Sequence, residues 1–154
     1  VAGLVSAELE ARLRALEDRA AIQDLIAGYG PAVDSADEEA VSAMWADDGT
    51  YQIDDDVLRM PGVGALVRSA PHVRYLARGC AHFLSSPRIE LDGDTAVALN
   101  HSCLLAGSPE SGGWVAARVS ANRWELVRTP TGWRVLSRVA RLLNGDEAAR
   151  AVFR

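Results

Sequence analysis

Residues 95–143 read TAVALNHSCLLAGSPESGGWVAARVSANRWELVRTPTGWRVLSRVARLL. Three runs rich in Val, Leu, Ala and Trp, Thr95 to Leu105, Trp114 to Arg128 and Gly132 to Leu143, are parted by Gly107 to Gly113 and by Thr129-Pro-Thr-Gly132. Runs of this length bounded by Gly, Pro and Ser clusters predict strands joined as hairpins. Upstream, Cys80 to Leu91 has the same texture, and Asp92-Gly93 is a hairpin-turn pair leading into Thr95. The second half of the chain is therefore expected to be a meander of four antiparallel strands.

The first half has a different period. From Ser6, Leu9, Leu13, Leu16, Ala20, Ile22, Leu25 and Ile26 recur at helical steps among charged residues, which predicts a long amphipathic helix. Gly28-Tyr29-Gly30-Pro31 is expected to end it, because proline cannot continue a helix. Ser35 to Glu38 has the spacing of a capping box for a second helix, with Ala40, Val41, Met44 and Trp45 on one face and Asp47-Asp48-Gly49 as its stop. A short strand, Thr50 to Ile53, a polar loop at Asp54-Asp55-Asp56 and a short helix over Pro61 to Ser69 complete this half. The acidic run reads as a solvated loop in preference to a metal site, since cation loops alternate their oxygen ligands around a glycine bend. Helices first and hairpins second is the pattern of an α+β fold, a curved, mainly antiparallel sheet wrapped around N-terminal helices and enclosing a pocket.

With 154 residues, 49% of them hydrophobic, the chain suits one domain over 1–154. A net charge of -5 offers no basic excess for phosphate neutralisation, so no nucleic-acid partner is expected. Neither an apolar run of membrane-spanning length nor a basic-then-apolar start is present, and the expected location is cytoplasmic, without a membrane partner. Cys80 and Cys103 stand in no zinc-type spacing and are expected to be free thiols. All sixteen basic residues are arginine, which removes lysine nucleophiles, and the glycine-rich, GxSxG and HExxH motifs are absent. No cofactor and no metal are expected.

Acid–base chemistry then falls to few groups, and the chain has only His72, His82 and His101. His82 opens an apolar strand, where an imidazole needs a partner to offset desolvation. A satisfied structural histidine is the bland alternative there and at His101. His72, after Pro71, is expected in an exposed loop. A two-residue turn at Asp92-Gly93 would pair Leu91 with Asp94 and place His82 and His101 on one face; a three-residue loop would place them on opposite faces. Asp34 follows the proline turn, where a capping role is the common one.

Asp18-Arg-Ala-Ala-Ile-Gln-Asp-Leu25, Val33-Asp34, Trp45, Asp47-Asp48-Gly49-Thr-Tyr51, Ala81-His82-Phe, Arg88-Ile-Glu90 and Gly132-Trp-Arg-Val-Leu-Ser-Arg138, in that order, resemble the SnoaL-like branch of the nuclear-transport-factor-2-like superfamily over nearly the whole chain. Within the branch the chain looks most like the cofactor-free lyases, namely hexachlorocyclohexane dehydrochlorinase and bile-acid 7α-dehydratase, with scytalone dehydratase more distant. The resemblance implies a cone-shaped fold and a homodimer or higher homo-oligomer joined through the sheet. It implies that His82 is the base and Asp34 the residue that holds it. Tyr29 matches a tyrosine of the bile-acid enzyme, where the dehydrochlorinase has lysine. Tyr51 falls at an aromatic pocket position, His101 looks like the second histidine of scytalone dehydratase, and Arg138 corresponds to a pocket arginine, with Arg141 as the alternative should that strand carry a bulge.

The expected function is a cofactor-independent, dehydratase-like lyase or an isomerase acting on a small hydrophobic, cyclic substrate. Asp34 and His82 are the catalytic pair; Tyr29, Tyr51, His101 and Arg138 are the substrate-binding residues, with Trp45, Leu84 and Leu136 completing the wall. A polyketide-type cyclase or isomerase and a non-catalytic binding or assembly module are the alternatives.

Overall fold

A computed structural model describes residues 2–154. Helix α1 (Ala2–Asp34) is followed by α2 (Glu38–Ala43), β1 (Trp45–Ile53), β2 (Asp56–Arg59), α3 (Gly62–Ala65), a 3-10 turn (Leu66–Arg68) and α4 (Ala70–Arg78). The strands β3 (Cys80–Leu84), β4 (Arg88–Asp92), β5 (Thr95–Gly107), β6 (Trp114–Thr129) and β7 (Gly132–Leu142) come next, and α5 (Glu147–Ala151) closes the chain. One seven-stranded sheet runs β2-β1-β7-β6-β5-β3, with β4 on the first half of β5. Among the described residues only the β1–β7 pair is parallel. The α+β architecture expected from the sequence is the one observed.

Helix α1 does not stop at Gly28-Tyr29-Gly30-Pro31 but carries Pro31 inside it and ends at Asp34. Ile22, Ile26, Tyr29 and Val33, at steps of four, three and four, are all buried in the core between helix and sheet. Burying that face compensates for the hydrogen bond that proline cannot donate. Gly30 has a specific reason to be glycine: a Cβ there would lie 2.3 Å from the carbonyl oxygen of His82, so the bare backbone lets α1 rest on β3. Midway along α1, Asp18 accepts two hydrogen bonds from Arg128 at 2.7 Å and one from the Trp133 indole at 3.0 Å, fastening the helix to β6 and β7.

Several local expectations shift. The cap of α2 is Asp37, which accepts from the Ala40 amide at 2.9 Å, while Ser35 turns back to the Ala32 carbonyl. Trp45 to Gly49 belong to β1, not to α2. His72, expected in an exposed loop, lies in α4, which has Ser69 as N-cap and Pro71 in the first turn, where its missing N–H costs nothing. The expected strand Cys80 to Leu91 is two strands, broken at Ser85-Ser86-Pro87. The β4–β5 turn is a two-residue Gly93-Asp94 turn, with Asp92 opposite Thr95 and Gly93 at φ 58°. That change alone would leave His82 and His101 on one face. The one-residue slip at the Ser85–Pro87 break then pairs His82 with Leu104 and Leu84 with Ser102, and it puts the two imidazoles on opposite faces.

Candidate active site

The concave face of the sheet, α1 and α4 enclose a cavity of about 320 Å³. Tyr29, Tyr51, His72, His82, Arg118 and Arg138, with three serines, give it polar groups; Val33, Ile53, Leu66, Leu84, Leu104 and Ala140 make much of the rest. Of the residues expected there, Tyr29, Tyr51, His82, Arg138 and Leu84 take their places. Asp34 lies just behind His82.

Asp34, the last residue of α1, places Oδ1 2.6 Å from His82 Nδ1, and its Oδ2 accepts from the His82 backbone amide at 2.9 Å. Both side chains are largely buried. A carboxylate only accepts, so in the neutral ring Nδ1 carries the proton and Nε2 keeps its lone pair. Burial lowers the His82 pKa from its ordinary value, and the Asp34 carboxylate opposes this without overcoming it; His72 and Arg138 add to the lowering. The imidazole is accordingly a free base at neutral pH, with a carboxylate ready to stabilise the imidazolium.

Arg138 is 2% exposed, yet no carboxylate pairs with it among the described residues. Its Nε and Nη2 donate to the Asn122 side-chain oxygen at 3.2 and 2.8 Å, and its guanidinium sits 4.0 to 4.5 Å from the rings of Trp124, Tyr29 and Tyr51. Nη1 has no partner among the described residues. A buried cation held by π faces and one amide is an unfilled donor for an anion. Burial also pushes the Tyr29 phenol far above its ordinary pKa, so it is a proton donor and not a base.

His101 is a correction. It is exposed on the convex side of the sheet, stacked on Phe153 with ring centroids 4.7 Å apart, because of the Ser85–Pro87 slip. His72 is the other correction. It is 7% exposed, lines the cavity, and its Nε2–H donates to the Val33 carbonyl at 3.0 Å, with its ring 5.8 Å from that of His82. Leu136 points outward, 39% exposed, where the β6–β7 register slips by one residue between Glu125 and Leu126. The same irregularity turns Arg138 inward, while Arg141 pairs with Asp55 at 3.0 Å on the surface. Trp45 is buried against Tyr29 and Tyr51, behind the cavity wall.

The polar support was not foreseen. Asn122 donates to Ser102 Oγ at 2.9 Å, and Asn100 accepts from the Trp124 indole at 2.9 Å. The signal was available: Asn100-x-Ser102 and Ser120-x-Asn122 each put two polar residues on one face of a strand. Cys80 was also passed over. Its thiol lies 3.8 Å from Asp34 Oδ1, and Asp34, Cys80 and His82 have potential ligand atoms within 4.8 Å of one another. Burial, reinforced by the Asp34 carboxylate, pushes the thiol pKa up, so in this arrangement the thiol donates to Asp34. Of the acidic run, Asp54 pairs with Arg118 at 2.8 Å, so the loop is ion-paired to the sheet.

Among the described residues no helix is long and apolar enough to cross a membrane. Among curated proteins nothing matches the sequence. A solved NTF2-like protein with a cystatin-like fold from Novosphingobium aromaticivorans is 44% identical, with 96% of each chain covered and a TM-score of 0.92. Hexachlorocyclohexane dehydrochlorinase LinA-type3 from Novosphingobium barchaimii is 21% identical, with 86% of this chain and 90% of that one covered and a TM-score of 0.73. Aln2 from a Streptomyces species is also 21% identical, with 86% and 94% covered and a TM-score of 0.71, and at this identity both likenesses concern the fold. The model of the SnoaL-like domain matches residues 14–139, and on that match the chain belongs to the SnoaL-like family, within the NTF2-like fold.

Proposed function

We propose that this protein is a cofactor-independent lyase or isomerase that takes a proton from carbon in a small, hydrophobic, cyclic substrate. The observation that carries the reading is the 2.6 Å Asp34–His82 contact at the wall of a cavity that is also lined by a buried arginine with an unused donor. His82 Nε2 removes the proton, and Asp34 fixes the tautomer and stabilises the imidazolium that results. The negative charge left on the substrate is placed as an enolate-like oxygen against Arg138 Nη1, with the Tyr29 hydroxyl as a second donor. The apolar wall of Val33, Ile53, Leu84 and Leu104 excludes water and selects a hydrophobic ring. The dehydrochlorinases that share the fold carry out an elimination, which favours a lyase; a cyclase would use the same pair of residues without losing a leaving group.

The test is exchange of a carbon-bound proton with solvent deuterium across a panel of cyclic hydroxy-ketones, with binding followed by the shift in melting temperature. His82→Gln is expected to bind nearly as the parent does while exchange falls by about 10²- to 10⁴-fold. Undiminished exchange would move the base elsewhere, first to His72. Binding without exchange by the parent itself, across the panel, would make the protein a carrier.

A further inference from the structure

The first half of α1 carries a surface that the proposed chemistry does not use. Leu9, Leu13 and Leu16 are 63%, 54% and 65% exposed on a helix whose later residues are deep in the core. Steps of four, three and four link Leu9, Leu13, Leu16 and Ala20, the spacing of alternate d and a positions in a two-stranded coiled coil. At about 100° per residue these four lie within roughly 60° of one another, and the stripe centres about 140° from the buried face of Ile22, Ile26, Tyr29 and Val33. Asp18, fastened to Arg128 and Trp133, falls at the f position, away from the seam. A second helix can therefore lie on the stripe without meeting the body of the protein.

The flanking charges identify that helix. The e positions in this register are Glu10, Glu17 and Asp24, all acidic, and the g positions are Arg12 and Arg19, both basic. In a parallel pair each g residue faces the e residue five positions on in the other chain, so Arg12 meets Glu17 of the second copy, twice by symmetry. In an antiparallel pair, g would face g and e would face e, arginine against arginine and glutamate against glutamate. Arg19 is already tied to the Ile89 carbonyl at 2.6 Å, so the Arg12–Glu17 contact carries the selection. We propose that the protein self-associates through a parallel, two-stranded coiled coil formed by residues 9–20 of α1 in two copies of this chain. The contact is independent of the association through the sheet that the family resemblance suggested.

The experiment is sedimentation velocity on the full chain over a dilution series. The parent is expected to associate, and the double variant Leu9→Gln/Leu16→Gln, which alters only exposed side chains, is expected to sediment at half the parent's mass with unchanged near-UV circular dichroism. Arg12→Glu should weaken the dimer roughly tenfold, and Arg12→Glu/Glu17→Arg should restore it, because the charges are exchanged within the same register. Leu13→Cys, at an a position, should form an intermolecular disulfide on oxidation. A parent that stays monomeric throughout would overturn the proposal. So would a dimer indifferent to the leucine substitutions, which would assign association to the convex sheet face bearing Phe83 and Trp114, and so would failure of the charge exchange to restore affinity.

Discussion

The two halves of α1 are one continuous helix of 33 residues with opposite faces put to opposite uses. Before Asp18, Leu9, Leu13 and Leu16 face water; after it, Ile22, Ile26, Tyr29 and Val33 are each 4% exposed or less and the last residue holds the His82 imidazole. The local sequences are alike in composition, so hydrophobicity does not separate them. What separates them is what lies opposite: the sheet packs on the face of Ile22, Ile26, Tyr29 and Val33, and that is not the side of the helix on which Leu9, Leu13 and Leu16 stand.

The sharpest way to test this contrast is at the helix end. Asp34→Asn should lower turnover by about 10²- to 10⁴-fold on any substrate found by proton exchange, with little loss of binding. The pH profile gives a second readout. His82 must be neutral to act, and its pKa lies below the ordinary 6.5, so activity should hold from neutral pH down through 6.5 and fall only in more acid solution. Removing the carboxylate withdraws the group that favours the imidazolium, so in Asp34→Asn that acid limb should move lower still. A limb moving upward would contradict the assignment. Because the unfolded chain binds the His82 proton more readily than the folded one, this group also makes folding less favourable as pH drops below 6.5.

Next in size is the core half. Ile26→Ala removes a side chain that is 1% exposed and should cost about 2 to 5 kcal/mol in urea unfolding. Two glycines, two residues apart, offer a contrast of sign. Gly30→Ala drives a methyl into the His82 carbonyl and should destabilise by about 1 to 3 kcal/mol while disturbing turnover, because the helix must lift away from β3. Gly28→Ala meets nothing within 4 Å and should stabilise by about 0.5 to 1 kcal/mol. Smallest of all, Leu9→Ala should change the unfolding free energy of dilute protein by no more than about 0.5 kcal/mol. A loss comparable with that at Ile26 would mean that the first half is covered within one chain.

Much of the architecture was legible because periodicity is a local property. The long helix, the strands after residue 80 and the α+β class follow from spacing of three and four in one half and hairpin punctuation in the other. The Asp34–His82 pairing was legible only through resemblance, since 48 positions of chain separate the two and no local rule joins them. The misreadings have a common form. Pro31 and the Gly93 turn were each read by their average behaviour, and packing chose the uncommon outcome, a proline inside a helix with one buried face and a turn placed one residue further on; Pro71 was read as a breaker where it stands at the favoured first turn of a helix.

The sequence by itself determined that a long helix precedes a run of antiparallel strands, that sixteen arginines and no lysine restrict the chemistry, and that acid–base work falls to three histidines and the carboxylates near them. Tertiary structure decided which histidines reach the cavity. A single-residue slip at Ser85–Pro87 sent His101 to the convex face, and α4 brought His72 into the cavity, because on a strand every one-residue change of register reverses every side chain beyond it. Tertiary structure likewise turned Arg138 inward and Arg141 out through the slip beside Leu136. Register is the sum of all turns and bulges between distant strands, and that sum is fixed by which faces can be buried together, a quantity no short stretch of sequence contains.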